Sequence, residues 1–116
     1  LDVIAYYAPR PSYITAKNVK AQAVNLSKLD GKDIGEIENK IVLIESGDPG
    51  YDWVFTRGIA GLITKYGGVA SHMSIRCAEF GIPAAIGCGV VFDSLVNSDH
   101  IHLDCKAHKI EPIRGV

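Results

Sequence analysis

From residue 40 to residue 87 the chain alternates short unbroken apolar runs with polar, glycine-bearing breaks. "KIVLIES" (40–46), "IAGLIT" (59–64) and "PAAIG" (83–87) are continuous apolar runs, too short for helices. Such runs fit strands buried on both faces. "GDPG" breaks the first run. Asp48 is placed there to cap a helix whose first residue is Pro49, where a missing N–H costs nothing. That helix is expected to run through "GYDWVFTRG" and to close at Gly58. Trp53 is expected to anchor it on the core.

The next break, "YGGVASHMSIRCAEFGIPAAIGCG" (66–89), contains a second helix. Ser71 suits an N-cap, Gly81 suits a left-handed stop, and Pro83 follows just beyond. Met73, Cys77 and Phe80 form a stripe expected to pack inward. "FDSLVNSD" (92–99) predicts a helical turn. "HIHLDC" (100–105) and "HKIEPI" (108–113) alternate and predict a terminal hairpin.

Upstream, "VIAYYA" (3–8) and "VKAQAVNL" (19–26) read as strands, "PRPSYIT" (9–15) as irregular or edge-like, and "DGKDIGEIENK" (30–40) as a loop. The alternation of strands and helices predicts a single α/β domain over residues 1–116. Its core would be parallel, with antiparallel additions.

The 116 residues are 47% hydrophobic and carry a formal net charge of -1, without long blocks of either sign. A nucleic-acid binder would show a basic stripe, and none is present. No run has the length of a membrane span, and no polybasic surface or leader is evident, so a cytoplasmic setting is expected. Three cysteines without a C-x-x-C pair read as free thiols rather than as disulfides or a zinc site. The chain opens at Leu1, which suggests a piece of a longer protein.

The chemistry centres on His72. The predicted helix puts it in the first turn, beside free N–H groups and the positive end of the dipole. That setting favours a neutral, nucleophilic ring and favours an anion attached to it. Gly67 and Gly68 let the backbone approach closely. Thr64 ends the preceding strand and offers a hydroxyl. Arg76, one turn beyond His72, can neutralise a phosphate. A neutral nucleophile among such donors suits phosphohistidine. It does not suit a serine-protease-type triad, which needs a carboxylate to orient the histidine. On the helix-start signals alone, a plain polar residue at a helix start explains His72 equally well.

The spaced set Thr64, Gly67, Gly68, Ser71, His72, Ile75, Glu79, Gly81, Ile82, Pro83, Ala84 and Gly87 resembles the mobile phosphohistidine domain of PEP-utilising enzymes. The likeness extends through most of residues 40–113. It implies a swivelling β/β/α fold with a central sheet flanked by helices. It also implies that His72 is the phosphoryl acceptor, with Thr64, Gly67, Gly68 and Ser71 shaping the phosphate site and Arg76 assisting. Two positions depart from the pattern. Ala70 stands where the family often has threonine, and Ala78 where it usually has arginine. These departures favour a PEP-synthase-like or dikinase-like branch.

By the same resemblance the domain holds no cofactor itself. Mg²⁺ and ATP or PEP would belong to partner domains, an ATP-grasp-like nucleotide-binding unit and a PEP- or acceptor-binding unit. The sequence contains no G-x-x-x-x-G-K-[ST] loop of its own. Two rivals stand beside this reading. One is a non-catalytic domain that holds an anionic ligand in the glycine loop. The other is a metal-dependent hydrolase built on His100, His102 and Asp104, for which a solvent-facing strand edge is the plainer explanation, so no metal is expected. Asp48 and Asp52 are carboxylates of the kind that bind Mg²⁺, though capping already accounts for Asp48.

Overall fold

The computed structural model describes residues 11–26, 37–47, 49–68 and 70–113. It is a mixed α/β structure with one seven-stranded sheet. The strands are β1 (Ser12–Ile14), β2 (Asn18–Asn25), β3 (Ile41–Ile44), β4 (Gly61–Thr64), β5 (Ala84–Ile86), β6 (His100–Asp104) and β7 (Lys109–Ile113). Their order across the sheet is β1-β5-β4-β3-β2-β6-β7. The central strands β5, β4, β3 and β2 run parallel. Antiparallel β1 borders β5, and the β6–β7 hairpin borders β2. The expected strand at 3–8 lies outside the described residues, as do most of the expected 30–40 loop and the Asp48 cap.

Three of the parallel strands, β3, β4 and β5, are short and buried at every residue. Alternate side chains enter two separate cores, as the pleat requires. Val42, Ile44, Leu62, Ala84 and Ile86 face one cluster. Ile41, Leu43, Ile63 and Ala85 face the other. The first cluster takes in Met73 and Cys77 of α1 (His72–Phe80), with Val54 and Phe55 from a 3-10 helix (Pro49–Thr56). The second takes in Phe92 and Leu95 of α2 (Val90–Leu95) and Ile101 and Leu103 of β6.

One expectation changes and two become more specific. The expected helix from Pro49 forms, as a 3-10 helix over residues 49–56. Phe80 does not join the inward stripe. It is 51% exposed and stacks on Phe55 with ring centroids 5.4 Å apart, because it sits on the last helical residue, past the buried turn of Met73 and Cys77. The parallel core also has a fourth member. β2 pairs in parallel with β3 on one side and antiparallel with β6 on the other.

Candidate phosphoryl-transfer site

The site is the β4–α1 connection, closed from below by the start of the β5–α2 turn. Thr64 ends β4 and is fully buried. Its hydroxyl donates to the Tyr66 carbonyl at 2.8 Å and accepts from the Gly87 N–H at 3.0 Å. The Cys88 N–H reaches the Thr64 carbonyl at 2.9 Å, and the Gly89 N–H reaches the Lys65 carbonyl at 2.9 Å. Two loops are therefore buckled together at the ends of neighbouring parallel strands. The Thr64 proton is committed to this buckle, so the residue shapes the loop rather than offering a free donor.

Gly67 adopts φ +120°, a region that side chains disfavour, and a Cβ there would sit 3.2 Å from Ile86 Cγ2. Gly87 has φ +78°, and a Cβ on it would run into the Gly67 carbonyl. The close approach of these two loops thus requires Gly67 and Gly87. Gly68 is different, since a Cβ there would meet nothing. What Gly68 supplies is its carbonyl, which accepts from Ser74 Oγ at 2.7 Å and from the Ser71 N–H at 2.9 Å.

Ser71 is the N-cap of α1, in extended conformation, and Gly81 ends the helix at φ 67°. Ser71 Oγ accepts from the Ser74 N–H at 3.4 Å and lies 3.0 Å from Ser74 Oγ. Because the Ser74 hydroxyl already donates to Gly68, Ser71 donates to Ser74. Ser74, only 2% exposed, was not singled out from the sequence. Serine three residues after a serine cap was the available signal, since its hydroxyl lies beside the cap. Capping Ser74 leaves the first-turn N–H groups of His72 and Met73 with no acceptor inside the helix. A concavity of about 100 Å³ opens beside them, lined by Ser46, Gly47, Thr64, Gly67 and Ser71 among others. Three of the expected phosphate-site residues, Thr64, Gly67 and Ser71, therefore share one hollow.

His72 is the first residue of α1, and its side chain is 39% exposed. Its Nε2 lies 2.6 Å from Asp52 Oδ1 on the 3-10 helix. The sequence reading placed no acid beside this histidine. Asp52 entered it as a metal candidate and as a possible surface partner of Arg76, because nothing local links two residues twenty positions apart.

Arg76 lies one turn further along α1. Its guanidinium carbon is 5.1 Å from the Phe80 ring centroid and 5.9 Å from that of Phe55, and Nη1 is 3.8 Å from Glu79 Oε2. The structure thus packs Arg76 against the aromatic pair that joins α1 to the 3-10 helix.

The other candidates do not converge on the site. His100, His102 and Asp104 lie along the side of β6 opposite its buried Ile101 and Leu103. They pair across β2 with Gln22, Lys20 and Asn18. Among the described residues no group of three His, Cys, Asp or Glu is placed to hold a metal ion. All three cysteines are free and buried. Burial pushes the Cys77 and Cys88 thiols up to about 12 and Cys105 to about 11, so they stay protonated and are poor nucleophiles. No helix among the described residues is long and apolar enough to cross a membrane.

The family model for the PEP-utilising enzyme, mobile domain, matches residues 36–108. The phosphoenolpyruvate synthase of Neisseria meningitidis is 30% identical over 79 residues, covering 68% of this chain and 9% of that protein. The phosphoenolpyruvate-protein phosphotransferase of Buchnera aphidicola is 31% identical over 88 residues, covering 74% of this chain and 15% of that protein. The chain therefore spans a small fraction of these relatives' length. The solution NMR structure of a UPF0107 protein superposes with a TM-score of 0.67 over 91% of this chain and 98% of that one. At 14% identity that likeness is one of fold. The match over residues 36–108 includes β3 to β6, the buckled loops and the His72 helix, and by it the chain belongs to the PEP-utilising enzyme mobile-domain family.

Proposed function

We propose that the chain is a phosphohistidine carrier domain, and that His72 accepts a phosphoryl group at one active site and delivers it at another. The observation that carries this reading is the placement of His72. A partly exposed imidazole stands in the first turn of α1, between Ser71 and Met73, which line a small hollow at the helix start. A phosphoryl group on the ring would meet backbone donors and the positive end of the helix dipole. Membership of the mobile-domain family supports the same assignment.

Within this reading Ser71 and Ser74 fix the helix start, and Thr64, Gly67 and Gly87 fix the loop around it. Gly68 contributes its carbonyl to the Ser71–Ser74 network. Arg76 seats the 3-10 helix on α1 through Phe55 and Phe80. The donor is a nucleotide or PEP, bound with Mg²⁺ on other domains of a longer chain. One of these is an ATP-grasp-like unit and another binds PEP or the final acceptor, as in a PEP-synthase-like or dikinase-like phosphotransferase in the cytoplasm. Transfer then requires the domain to swivel between them.

The test uses the full-length protein. His72→Ala is expected to abolish transfer from radiolabelled PEP and from labelled ATP while circular dichroism stays unchanged. Transfer at the wild-type rate by that folded variant would remove the carrier reading.

A further inference from the structure

Asp52 has no part in the family resemblance set out above, yet it makes the shortest polar contact that His72 has among the described residues. Nε2 is the tip atom of the imidazole, the ring nitrogen furthest from the backbone of α1 and the first one that a donor on another domain would meet. In this structure that nitrogen is held 2.6 Å from Asp52 Oδ1. The contact is built in by the backbone. Asp52 and Phe55 are three residues apart on a 3-10 helix, and His72 and Arg76 are four apart on α1. Each separation advances about 6 Å along its axis. Asp52 thus meets His72 where Phe55 meets Arg76. The two side chains are 38% and 39% exposed, so the pair opens at small cost.

We infer that Asp52 is the proton acceptor that makes Nε2 of His72 nucleophilic. This inference rests on the carrier reading. In the form of the ring that carries a proton on each nitrogen, Nε2 donates to the Asp52 carboxylate. The Nε2 proton passes to Asp52 Oδ1, which leaves a neutral ring with a lone pair on Nε2 and a proton on Nδ1. Asp52, now neutral, turns aside towards solvent. The Nε2 lone pair attacks phosphorus, the N–P bond forms, and the donor's P–O bond breaks with its electron pair staying on the donor oxygen. On delivery the N–P bond breaks, its electron pair returns to Nε2, and that nitrogen recovers its proton from Asp52.

The experiment measures single-turnover loading of His72 in the full-length protein, with radiolabelled PEP and with labelled ATP, for wild type, Asp52→Asn, Asp52→Glu and Asp52→Ala. Loading is quantified on the peptide that contains His72. Asp52→Asn keeps the size and polarity but cannot accept the proton, so its loading rate is expected to fall by about 10²-fold or more. Asp52→Glu is expected to restore part of that loss. The pH profile separates chemistry from packing. In wild type a carboxylate takes the proton, so the rate is expected to change little between about pH 6 and 8. In Asp52→Asn and Asp52→Ala solvent must take the proton, so the rate should climb with pH across that range. Rates for Asp52→Asn and Asp52→Ala within about twofold of wild type, with the same pH profile, would overturn the inference and leave the carrier reading standing. A wild-type protein that never loads His72 from either donor would overturn the carrier reading and this inference with it.

Discussion

His72 and Asp52 are twenty residues apart in sequence, on different elements, and joined by a 2.6 Å hydrogen bond between Nε2 and Oδ1. The bond ties the exposed histidine at the start of α1 to the 3-10 helix that precedes β4. The Arg76, Phe55 and Phe80 cluster joins the same two elements one turn further on. The site is therefore an interface between two helical segments packed on one face of the sheet.

The loop glycines are expected to separate sharply. Gly67→Ala forces a side chain into φ +120° and against Ile86, and Gly87→Ala drives a Cβ into the Gly67 carbonyl. Each is expected to lower stability by about 1–3 kcal/mol, with Gly87→Ala at the upper end. Gly68→Ala meets open space and is expected to stay within about 0.5 kcal/mol of wild type. Denaturant unfolding measures all three. Equal losses at Gly68 and Gly87 would contradict the loop geometry described here.

Arg76 is expected to behave as a packing residue. Its guanidinium lies over two rings and near Glu79, with the Glu79 contact long at 3.8 Å. Arg76→Ala is expected to destabilise the fold by about 1–2 kcal/mol, most of it from the aromatic contacts. Phosphoryl loading of His72 should stay within a few-fold of wild type. A loss of a hundredfold or more in loading, with stability unchanged, would instead place the guanidinium on the phosphate.

The buried thiols set the alkaline limit. Burial raises Cys77 and Cys88 from an ordinary 9.0 to about 12, and Cys105 to about 11. A raised thiol pKa means that the folded state keeps a proton which the unfolded chain releases above pH 9. Stability from this source is full below about pH 9 and is lost as pH rises towards 11–12. The loss is up to about 1.4 kcal/mol per pH unit for each thiol. Denaturation midpoints from pH 8 to 11 should fall with steepening slope, and a thiol reagent at pH 8 should label the native chain only as fast as it opens. Immediate labelling of all three cysteines would contradict their burial.

The parallel core was legible because burial on both faces leaves a continuous apolar run, which β3, β4 and β5 each show. The α1 helix was legible through Ser71 and Gly81, whose caps are local chemistry. What could not be read depends on contacts between distant segments. The alternation of β2 does not say that it pairs in parallel with β3 and antiparallel with β6. The segment 49–56 carries helix signals that do not distinguish 3-10 from α, and its three-residue spacing is what aims Asp52 at His72. Gly67 and Gly68 are equivalent by sequence, and only the folded loop, with φ +120° at Gly67 and Ile86 against it, makes Gly67 the constrained one.

The central claim is that His72 carries the phosphoryl group, and direct mapping of the loaded residue tests it best. Full-length protein is incubated with radiolabelled PEP, and separately with labelled ATP, then digested under alkaline conditions that preserve phosphohistidine. The account predicts acid-labile, base-stable label on the peptide containing His72, at up to one phosphoryl group per chain, and none there in His72→Ala. Label on another residue, or a His72→Ala protein that loads this peptide as wild type does, would contradict it.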